Sequence, residues 1–468
     1  MIAMTLDEIA GVLGSRCATE VPPISVTGVS TDSRTVRRGD LFFAIVGDRF
    51  DGHDFAGRAM DSGAAGCVVC REAGGLEGTS APGRILRVAN TIDALGRLAA
   101  FHRSHTVAEV VAVTGSNGKT TTKCMIEHVL STRFRGRGSI KSFNNNIGLP
   151  LTLLSAEAGD EFLVVEIGSN APGEVAALGR LASPDIAVIT SIGHAHVGGL
   201  GGLAGVQAEK VSLFGEVRPG GLCVVPIDDL DSPLSVAGGD SRRCITFGQS
   251  EHADIRVSAV TADLDRVRFR LNDKHEVELP IPGVHNAANA AAAFAVCRRF
   301  RMEPEDILAA LTTFQLPDMR LNKRQFGGIT VIDDSYNANP TSMAAAVETL
   351  VRAGGERRVF IGGDMLELGA ESSFWHAQLG RQLSGAGIEL VVGVGPEAEI
   401  TVRSAIDAGG ALDAVHYVDV DRACRELPER LRPGDTVLVK GSRVIGLDRV
   451  VEAIRDRHGA VERQAVSH

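Results

Sequence analysis

A glycine-rich loop between an apolar strand and a helix constrains the fold of this chain more than any other segment. The strand reads EVVAVT, a helix is predicted to begin near Thr120, and the loop between them reads TGSNGKT over residues 114–120. Backbone N–H groups of such a loop can surround a phosphate, and the helix N-terminus adds positive potential. Lys119 can reach the outer phosphates, and the Thr120 hydroxyl can bind Mg²⁺. The pattern predicts a nucleotide-binding α/β domain, although Val113 replaces the first glycine of the general motif. The alternative is a glycine-rich turn with a solvated lysine.

Apolar runs and amphipathic helices alternate along the rest of the chain, which predicts α/β architecture throughout. The length of 468 residues exceeds what one hydrophobic core usually supports, and we divide the chain into blocks at residues 1–105, 106–317 and 318–468. The last block has a Rossmann-like pattern with a helix beginning at Pro340. The predicted strands are 40–47, 66–70, 109–114, 162–166, 185–190, 329–333, 358–362, 389–394, 415–418 and 436–440, and a further helix is predicted at 53–65.

Composition excludes several classes of protein. Hydrophobic residues make up 44% of the chain and charged residues 23%, and the net charge is −10. That charge argues against nucleic-acid binding, which needs clustered basic residues. The start of the chain has no basic region of the kind a signal peptide carries, and no apolar run is long enough to span a bilayer. Eight scattered cysteines then favour reduced thiols in a cytoplasmic protein. For the one CxxC pair, Cys67 and Cys70, packing is favoured over metal or redox work.

Polar side chains at two strand ends are candidate metal ligands. Glu166 ends an apolar strand, where a carboxylate would be costly unless it faced a cleft or a cation. His194 and His196 follow the strand predicted at 185–190. A capping or surface role is the alternative for each of them.

Two asparagines share one face of an alanine-rich helix. Asn286 and Asn289 are three residues apart, so their amides could read the edge of a nucleotide base. An N-cap together with a solvated asparagine is the simpler explanation from the residues alone.

Five segments, in this order, resemble the Mur ligase family. They are TGSNGKTTT at 114–122, EIGSN at 166–170, GVHNAANAAAA at 283–293, DMR at 318–320 and DDSYNANPTSM at 333–343. The N-terminal segment at 30–55, GDMLELG at 363–369, His376 and KGSR at 440–443 resemble in particular the members that add D-alanyl-D-alanine to a UDP-N-acetylmuramoyl tripeptide. This resemblance implies a small N-terminal α/β domain for the UDP-sugar, a central P-loop ATPase domain with a mostly parallel sheet, and a C-terminal Rossmann-like domain for the dipeptide.

The resemblance also implies roles for individual residues. Lys119, Lys210 and Arg320 would be catalytic, with Lys210 carbamylated, and Thr120, Glu166 and His196 would bind Mg²⁺. Gly198 departs from the family pattern, which often has an acidic residue two positions after the histidine; this leaves His194 open as an alternative ligand. The implied ATP-binding set is Gly115, Ser116, Asn117, Gly118, Lys119, Thr120, Thr121, Asn286, Asn289, Arg320, Asp334, Tyr336, Asn337 and Asn339.

Substrate contacts follow from the same resemblance. The UDP-substrate set is Ser33, Arg34, Asp51, Gly52, His53 and Asn145, and the dipeptide side has Asp364, Lys440 and Ser442. The implied reaction proceeds through an acyl phosphate made with ATP and Mg²⁺, and we expect a monomer that inserts into no membrane. A folylpolyglutamate synthase is the nearest alternative, and a P-loop kinase or nucleotide switch is the alternative from another class.

Overall fold

The computed structural model describes residues 1, 3–15, 23–47, 49–74, 84–140, 142–229, 243–409 and 412–459. Cys17 lies outside these ranges, and the described cysteines are all free thiols. The predicted α/β class is confirmed, since three largely parallel sheets follow one another along the chain with helices packed on them. Within the described ranges, no helix is long and apolar enough to cross a membrane.

The N-terminal sheet is parallel and has the order β3-β4-β5-β6, beside a short antiparallel pair β1-β2. Helix α1 begins with a capping box in which Thr5 and Glu8 bind each other's backbone N–H groups. The predicted strand 40–47 ends at Phe43, and the predicted helix 53–65 starts as a 3-10 turn at Gly52–Phe55. The elements are β1 Met4–Thr5, α1 Leu6–Leu13, β2 Ser25–Val26, β3 Gly28–Ser30, β4 Asp40–Phe43, α2 Ala56–Asp61, β5 Gly66–Val69, β6 Ile85–Arg87 and α3 Thr91–Ser104.

The central sheet has the order β15-β14-β13-β12-β11-β10-β7-β9-β8 and is parallel from β8 to the β12-β13 pair. Strand β7 lies between β9 and β10, so the loops after these three strands open at one edge. The elements are β7 Glu109–Thr114, α4 Lys119–Leu130, β8 Gly136–Gly138, α5 Gly148–Ser155, β9 Phe162–Glu166, α6 Glu174–Ala182, β10 Ile186–Ile189, α7 Val197–Leu200, α8 Leu203–Gly215, β11 Leu222–Pro226, β12 Arg243–Gly248, β13 Ile255–Ala262, β14 Val267–Leu271, β15 His275–Leu279, α9 Asn286–Arg299 and α10 Pro304–Leu311.

The C-terminal sheet has the order β16-β17-β21-β18-β19-β20, and its first strand is antiparallel to the second. Asn339 caps helix α11 and Pro340 is the first residue of that helix, as predicted. The elements are β16 Asn322–Phe326, β17 Ile329–Asp333, α11 Pro340–Ala353, β18 Arg357–Gly363, α12 Ser372–Gly385, β19 Leu390–Val394, α13 Ala398–Asp407, β20 Asp413–Tyr417, α14 Val420–Glu426, β21 Asp435–Lys440 and α15 Asp448–His458.

The hydrophobic core is continuous between the first two sheets. One cluster of buried residues contains Leu6 and Leu41 of the N-terminal part, Leu95 of α3, and Val110 and Leu163 of the central sheet. Arg103 strengthens this contact between the two sheets, because its buried guanidinium donates to the backbone carbonyls of residues 182 and 183 and to the side chain of Asp185. One core cluster of the C-terminal sheet consists of residues from that part of the chain, and the other also includes Val197, Leu200 and Val206 of the central part.

Candidate active site

A cavity of about 640 Å³ lies where the central and C-terminal sheets face each other. This volume falls in the range of sites that hold a nucleotide or a drug-sized ligand. The strand ends of β7 and β9 supply one wall, and the loops after β17 and β21 supply the opposite wall. Of the predicted site residues, those that line the cavity are Ser116, Asn117, Gly118, Lys119, Thr120, Thr121, Asn145, Glu166, His196, Arg320, Tyr336, Asn337, Asn339, Lys440 and Ser442.

The phosphate-binding loop owes its shape to two glycines. Gly115 and Gly118 have φ angles of 142° and 80°, which side chains rarely tolerate, and Gly118 is the N-cap of helix α4. A Cβ atom at Gly118 would lie 2.4 Å from Oδ1 of Asn289. The loop is fixed from the neighbouring strand, since the backbone N–H of Asn117 donates to Oγ of Ser191 at 3.0 Å. The predicted strand-loop-helix arrangement is therefore present.

Lys119 places a cation in this loop, and its hydrogen-bond partners within the described ranges are backbone carbonyls. Its Nζ donates to the carbonyl oxygens of Gly115 at 2.7 Å and Ser116 at 3.3 Å. Loss of hydration lowers the pKa of Lys119, Glu166 opposes that shift, and Arg320 adds to it. Lys119 and Arg320 line the same cavity, and two cations in one cavity suit a polyanion such as a triphosphate.

Oxygen donors suited to Mg²⁺ lie beside the lysine. Oγ1 of Thr120 donates to Oε2 of Glu166 at 2.8 Å, and Oγ of Ser142 lies 3.3 Å from Oγ1 of Thr120. Nδ2 of Asn144 donates to the other oxygen of Glu166 at 2.8 Å and so orients the carboxylate. Hydroxyl and carboxylate oxygens next to a phosphate-binding loop are the ligand types that Mg²⁺ prefers. The donor set therefore fits the predicted ion.

The opposite wall comes from the C-terminal third of the chain. The guanidinium carbon of Arg320 lies 4.1 Å from the ring centroid of Tyr336, and its Nη2 donates to Oγ1 of Thr120 at 3.4 Å. Asn339 reaches across as well, with Nδ2 donating to Oδ1 of Asn117 at 2.8 Å. These contacts bring together groups that are about 200 residues apart in the sequence.

Lys440 is a second cation on this wall, and it is buried. Its Nζ donates to Oδ2 of Asp334 at 2.6 Å and to the carbonyl oxygen of Asn337 at 2.9 Å. Burial lowers the pKa of Lys440, and Asp334 opposes the shift. Asp334 itself does not line the cavity, so its direct effect is to hold Lys440 in place.

The two candidate histidines have different surroundings. His196 lines the cavity, and its Nδ1 contacts the carboxylate of Glu367 in the C-terminal domain. His194 points into a separate hollow of about 150 Å³, where its ring lies 4.7 Å from that of Trp375. Of the two histidines, His196 is therefore the one that could bind a metal ion in the cavity.

Lys210 is buried one layer behind the cavity wall. Its Nζ donates to Oγ of Ser169 at 2.7 Å, and Ser169 lines the cavity. Burial, with a smaller effect of Lys119, lowers the pKa of Lys210 to about 7, whereas Glu209 and Glu174 oppose the shift. Much of this amine is therefore neutral and nucleophilic near neutral pH.

Several predicted residues do not line this cavity. Asn286 and Asn289 are buried and bond to each other at 2.9 Å, and Asn289 also accepts a bond from Thr122. They join α9 to α4 behind the phosphate-binding loop. Asp364 accepts the backbone N–H of Ala398 at 2.7 Å and caps α13, while burial raises its pKa.

Apart from Asn145, which lines the cavity, the predicted UDP-substrate residues lie in the loops that follow β3 and β4. Asp51 accepts from the backbone N–H of His53 at 3.0 Å and lies 2.7 Å from its Nδ1, which fixes the ring. Burial lowers the pKa of His53. Arg34 is exposed and paired with Asp32 at 2.7 Å. Ser33 is buried, and Gly52 approaches the backbone of Ile45 so closely that a Cβ would lie 2.6 Å from its nitrogen.

Three contributors were not identified from the sequence. Ser142 and Ser191 hold the Thr120 hydroxyl and the Asn117 backbone, and Glu367 contacts His196. Glu367 lies inside the GDMLELG segment, so that motif was the available signal; serine residues in loops carry no such signal.

Comparison with known proteins covers most of the chain. The model described as Mur ligase family, catalytic domain matches residues 25–103; Mur ligase middle domain matches 113–297; and Mur ligase, glutamate ligase domain matches 319–443. The UDP-N-acetylmuramoyl-tripeptide–D-alanyl-D-alanine ligase of Bacillus subtilis strain 168 is 33% identical and covers 97% of this chain and 98% of its own length. The protein of that name from Escherichia coli K12 is 34% identical over 97% of this chain and 99% of its own.

Solved structures agree with these matches. MurF from Acinetobacter baumannii superposes with a TM-score of 0.86 at 30% identity and covers 97% of this chain and 99% of its own. The MurF ligase of Thermotoga maritima, solved in complex with ADP, gives a TM-score of 0.79 at 28% identity and covers 92% of this chain and 98% of its own.

Proposed function

This chain belongs to the Mur ligase family, and from that premise we propose that it adds D-alanyl-D-alanine to UDP-N-acetylmuramoyl tripeptide with conversion of ATP to ADP and phosphate. Relatives of that name match this chain along nearly its full length. The observation that supports the proposal most directly is the single cavity that joins the Lys119 loop, the Thr120–Glu166 pair and the Arg320–Tyr336 stack. The product is a peptidoglycan precursor made in the cytoplasm.

The first chemical step activates the carboxylate of the tripeptide. One carboxylate oxygen attacks the γ-phosphorus of ATP, the bond from that phosphorus to the β-bridging oxygen breaks, and ADP leaves with the electron pair. Negative charge accumulates on the transferred group, so Lys119, Arg320 and the backbone N–H groups of the loop lower the barrier by neutralising it. Thr120 and Glu166 would hold Mg²⁺, which neutralises phosphate charge when bound.

The second step forms the amide. The dipeptide amine, after losing its ammonium proton, attacks the acyl carbon, and the nitrogen then releases a second proton. The tetrahedral intermediate collapses as the bond between the acyl carbon and the phosphate oxygen breaks, and phosphate leaves with the electron pair. The amine must be held in line with the acyl carbon, and binding of the two substrates by separate domains would hold them in this way. Lys440 and Ser442 line the C-terminal side of the cavity, and we assign the dipeptide to that side with Asp364 fixing the loop behind it. In this proposal the enzyme acts as a monomer.

We assign the UDP part of the substrate to the N-terminal domain, with domain boundaries near residues 105 and 317. Two loops carry the candidate residues, one after β3 with Ser33 and Arg34, and one after β4 with Asp51 to His53. Loops at the carboxyl ends of neighbouring parallel strands form a natural crevice. Asn145 lines the cavity between the central and C-terminal sheets, where it would meet the peptide end of the same substrate.

Carbamylation of Lys210 also belongs to the proposal. The neutral amine attacks the carbon of CO₂, an N–C bond forms and one proton is released, which yields an anionic oxygen ligand. A lysine with a pKa of about 7 supplies the neutral amine required. Ser169 would direct this group toward the cavity, where His196 lies. Asn286 and Asn289 remain assigned to the adenine side, with their amides acting from behind the loop.

The test is ADP release with UDP-N-acetylmuramoyl tripeptide, ATP and Mg²⁺, with and without D-alanyl-D-alanine. We expect phosphate and the ligated pentapeptide to appear only with every component present, and L-alanyl-L-alanine serves as the matched control. A product that keeps the phosphate would instead identify a kinase, and ADP release that needs no amine would identify a nucleotide switch. Activity with a folate and glutamate in place of these substrates would point to the rival ligase.

A further inference from the structure

The glycine-rich segment at residues 193–202 contacts the C-terminal domain through its backbone. The N–H of Gly198 donates to the carbonyl oxygen of Glu367 at 3.2 Å. A Cβ atom at Gly198 would lie 2.7 Å from the backbone nitrogen of Gly369 and 3.0 Å from the carbonyl oxygen of Glu367. Gly369 has a φ of 57°, and a Cβ there would lie 3.0 Å from Cα of Gly198. The two backbones therefore touch where any larger residue would separate them.

Apolar and aromatic groups extend this contact on both sides of Gly198. Val197 and Leu200 of the central domain are buried in the core cluster of the C-terminal domain, together with Met365 and Leu368. On the other flank, the ring of His194 lies 4.7 Å from that of Trp375, which is the only tryptophan of the chain. These contacts make residues 193–202 part of the hydrophobic core of the C-terminal domain.

The contact adjoins the active-site cavity directly. Ala195 and His196 on one side and Leu366 and Glu367 on the other line that cavity. The segment follows β10, which neighbours the strand that carries the phosphate-binding loop, whereas Glu367 follows β18, which neighbours β21 and Lys440. Contact between residues 193–202 and 365–369 therefore sets the distance between the phosphate-binding loop at 114–120 and the cavity wall that carries Lys440.

We propose that residues 193–202 and 365–369 form an interdomain clasp, in which Gly198 is a positioning residue that lets the C-terminal domain close on the nucleotide. The clasp explains why glycine replaces the acidic residue of the family pattern at this position. The role of the clasp in catalysis rests on the proposed ligase function, whereas the contact between the two segments does not depend on that function. The clasp acts on closure, not on nucleotide affinity in the open state.

The test compares the full-length wild type with Gly198→Ala and Gly215→Ala. Gly215 is the matched control, because it ends a helix of the same domain and a Cβ there would meet nothing within 4 Å. We expect Gly198→Ala to lower kcat/KM for D-alanyl-D-alanine at least about tenfold, because overpacked backbone must move before closure. The ATP-induced change in Trp375 fluorescence should shrink in parallel, and Gly215→Ala should match the wild type in both measurements.

A second variant covers the case in which Gly198→Ala folds poorly. Leu200→Ala removes an apolar contact of the clasp by leaving a cavity, the opposite perturbation, and should also reduce the Trp375 response. Wild-type kcat/KM and fluorescence in the clasp variants would overturn the proposal, as would a loss of activity with an unchanged Trp375 response. If the wild type ligates no dipeptide at all, the proposed function fails, but the Trp375 response to ATP still decides whether the clasp exists.

Discussion

Replacing Lys119 by methionine separates the role of the phosphate-binding loop in catalysis from its role in folding. Among the described residues the lysine donates to two carbonyl oxygens, and loss of hydration lowers its pKa, so it costs the folded protein free energy to keep it charged. Methionine keeps the apolar stem and removes the charge. We therefore expect the free energy of unfolding of the nucleotide-free protein to stay within about 1 kcal/mol of wild type or to rise.

Catalysis should respond very differently. Removal of one preorganised charge from a transferring phosphoryl group costs about 2.7–4 kcal/mol in the transition state, or roughly 100- to 1000-fold in kcat. Ligand linkage provides a second measure. Saturating wild type at a hundred times its Kd for ATP adds about 2.7 kcal/mol of stability, and a tenfold loss of affinity at the same ATP concentration would leave about 1.4 kcal/mol. Thermal unfolding with and without MgATP, alongside steady-state ADP release, gives both values.

Lys123→Met is the matched control, since Lys123 is a buried lysine in the same helix whose Nζ bonds to the carbonyl oxygen of Ser139, away from the cavity. This variant should alter stability more than kcat. The reasoning about Lys119 would be refuted by a kcat within about threefold of wild type. A nucleotide-free Lys119→Met protein that unfolds far more easily than wild type would refute the energetic part.

Three further outcomes are expected. Glu166→Gln should raise the Mg²⁺ concentration for half-maximal turnover at least about tenfold, because the amide keeps the shape but loses the anionic oxygen; an Mg²⁺ titration measures this, and an unchanged midpoint would remove Glu166 from the metal site. Arg320→Lys should lower kcat/KM for ATP about 3- to 30-fold by losing the planar stack on Tyr336; equal rates would contradict it. With a pKa of about 7, Lys210 becomes protonated and unreactive toward CO₂ as the pH falls. Stimulation of turnover by bicarbonate should therefore be strong at pH 8, weak at pH 6 and absent in Lys210→Met. Stimulation independent of pH would count against carbamylation.

Local sequence patterns predicted the strands and the helix whose ends line the cavity. The strands Glu109–Thr114, Phe162–Glu166 and Ile329–Asp333 were predicted to the residue, because each is an apolar run with polar residues or glycine at its ends. The glycines of the loop required a helix N-terminus directly after it, and α4 begins at Lys119. These features depend on neighbours in sequence.

Features that depend on contacts between distant segments were harder to predict from the sequence. The strand predicted at 40–47 stops at Phe43, because the following residues turn toward Asp51 and Gly52 and pair with them by isolated bonds. The sequence shows Gly198 only as a departure from a family pattern; its closeness to Gly369 requires both sheets to be in place. Likewise, a pair of amides on one helix face cannot reveal that Asn289 faces Thr122 of another helix.

The core shared by the first two sheets limits how this enzyme could be recombined with its relatives. Leu95 and its neighbours on α3 fit side chains of both sheets, and Arg103 is matched to a turn some 80 residues away. A chimaera that exchanged only the first 105 residues would thus set foreign side chains against a surface shaped for others, and we expect it to express poorly. A crossover near residue 317 offers the better junction for exchanging amine specificity, because one core cluster of the last sheet is formed by C-terminal residues, although the other receives Val197, Leu200 and Val206 from the central part.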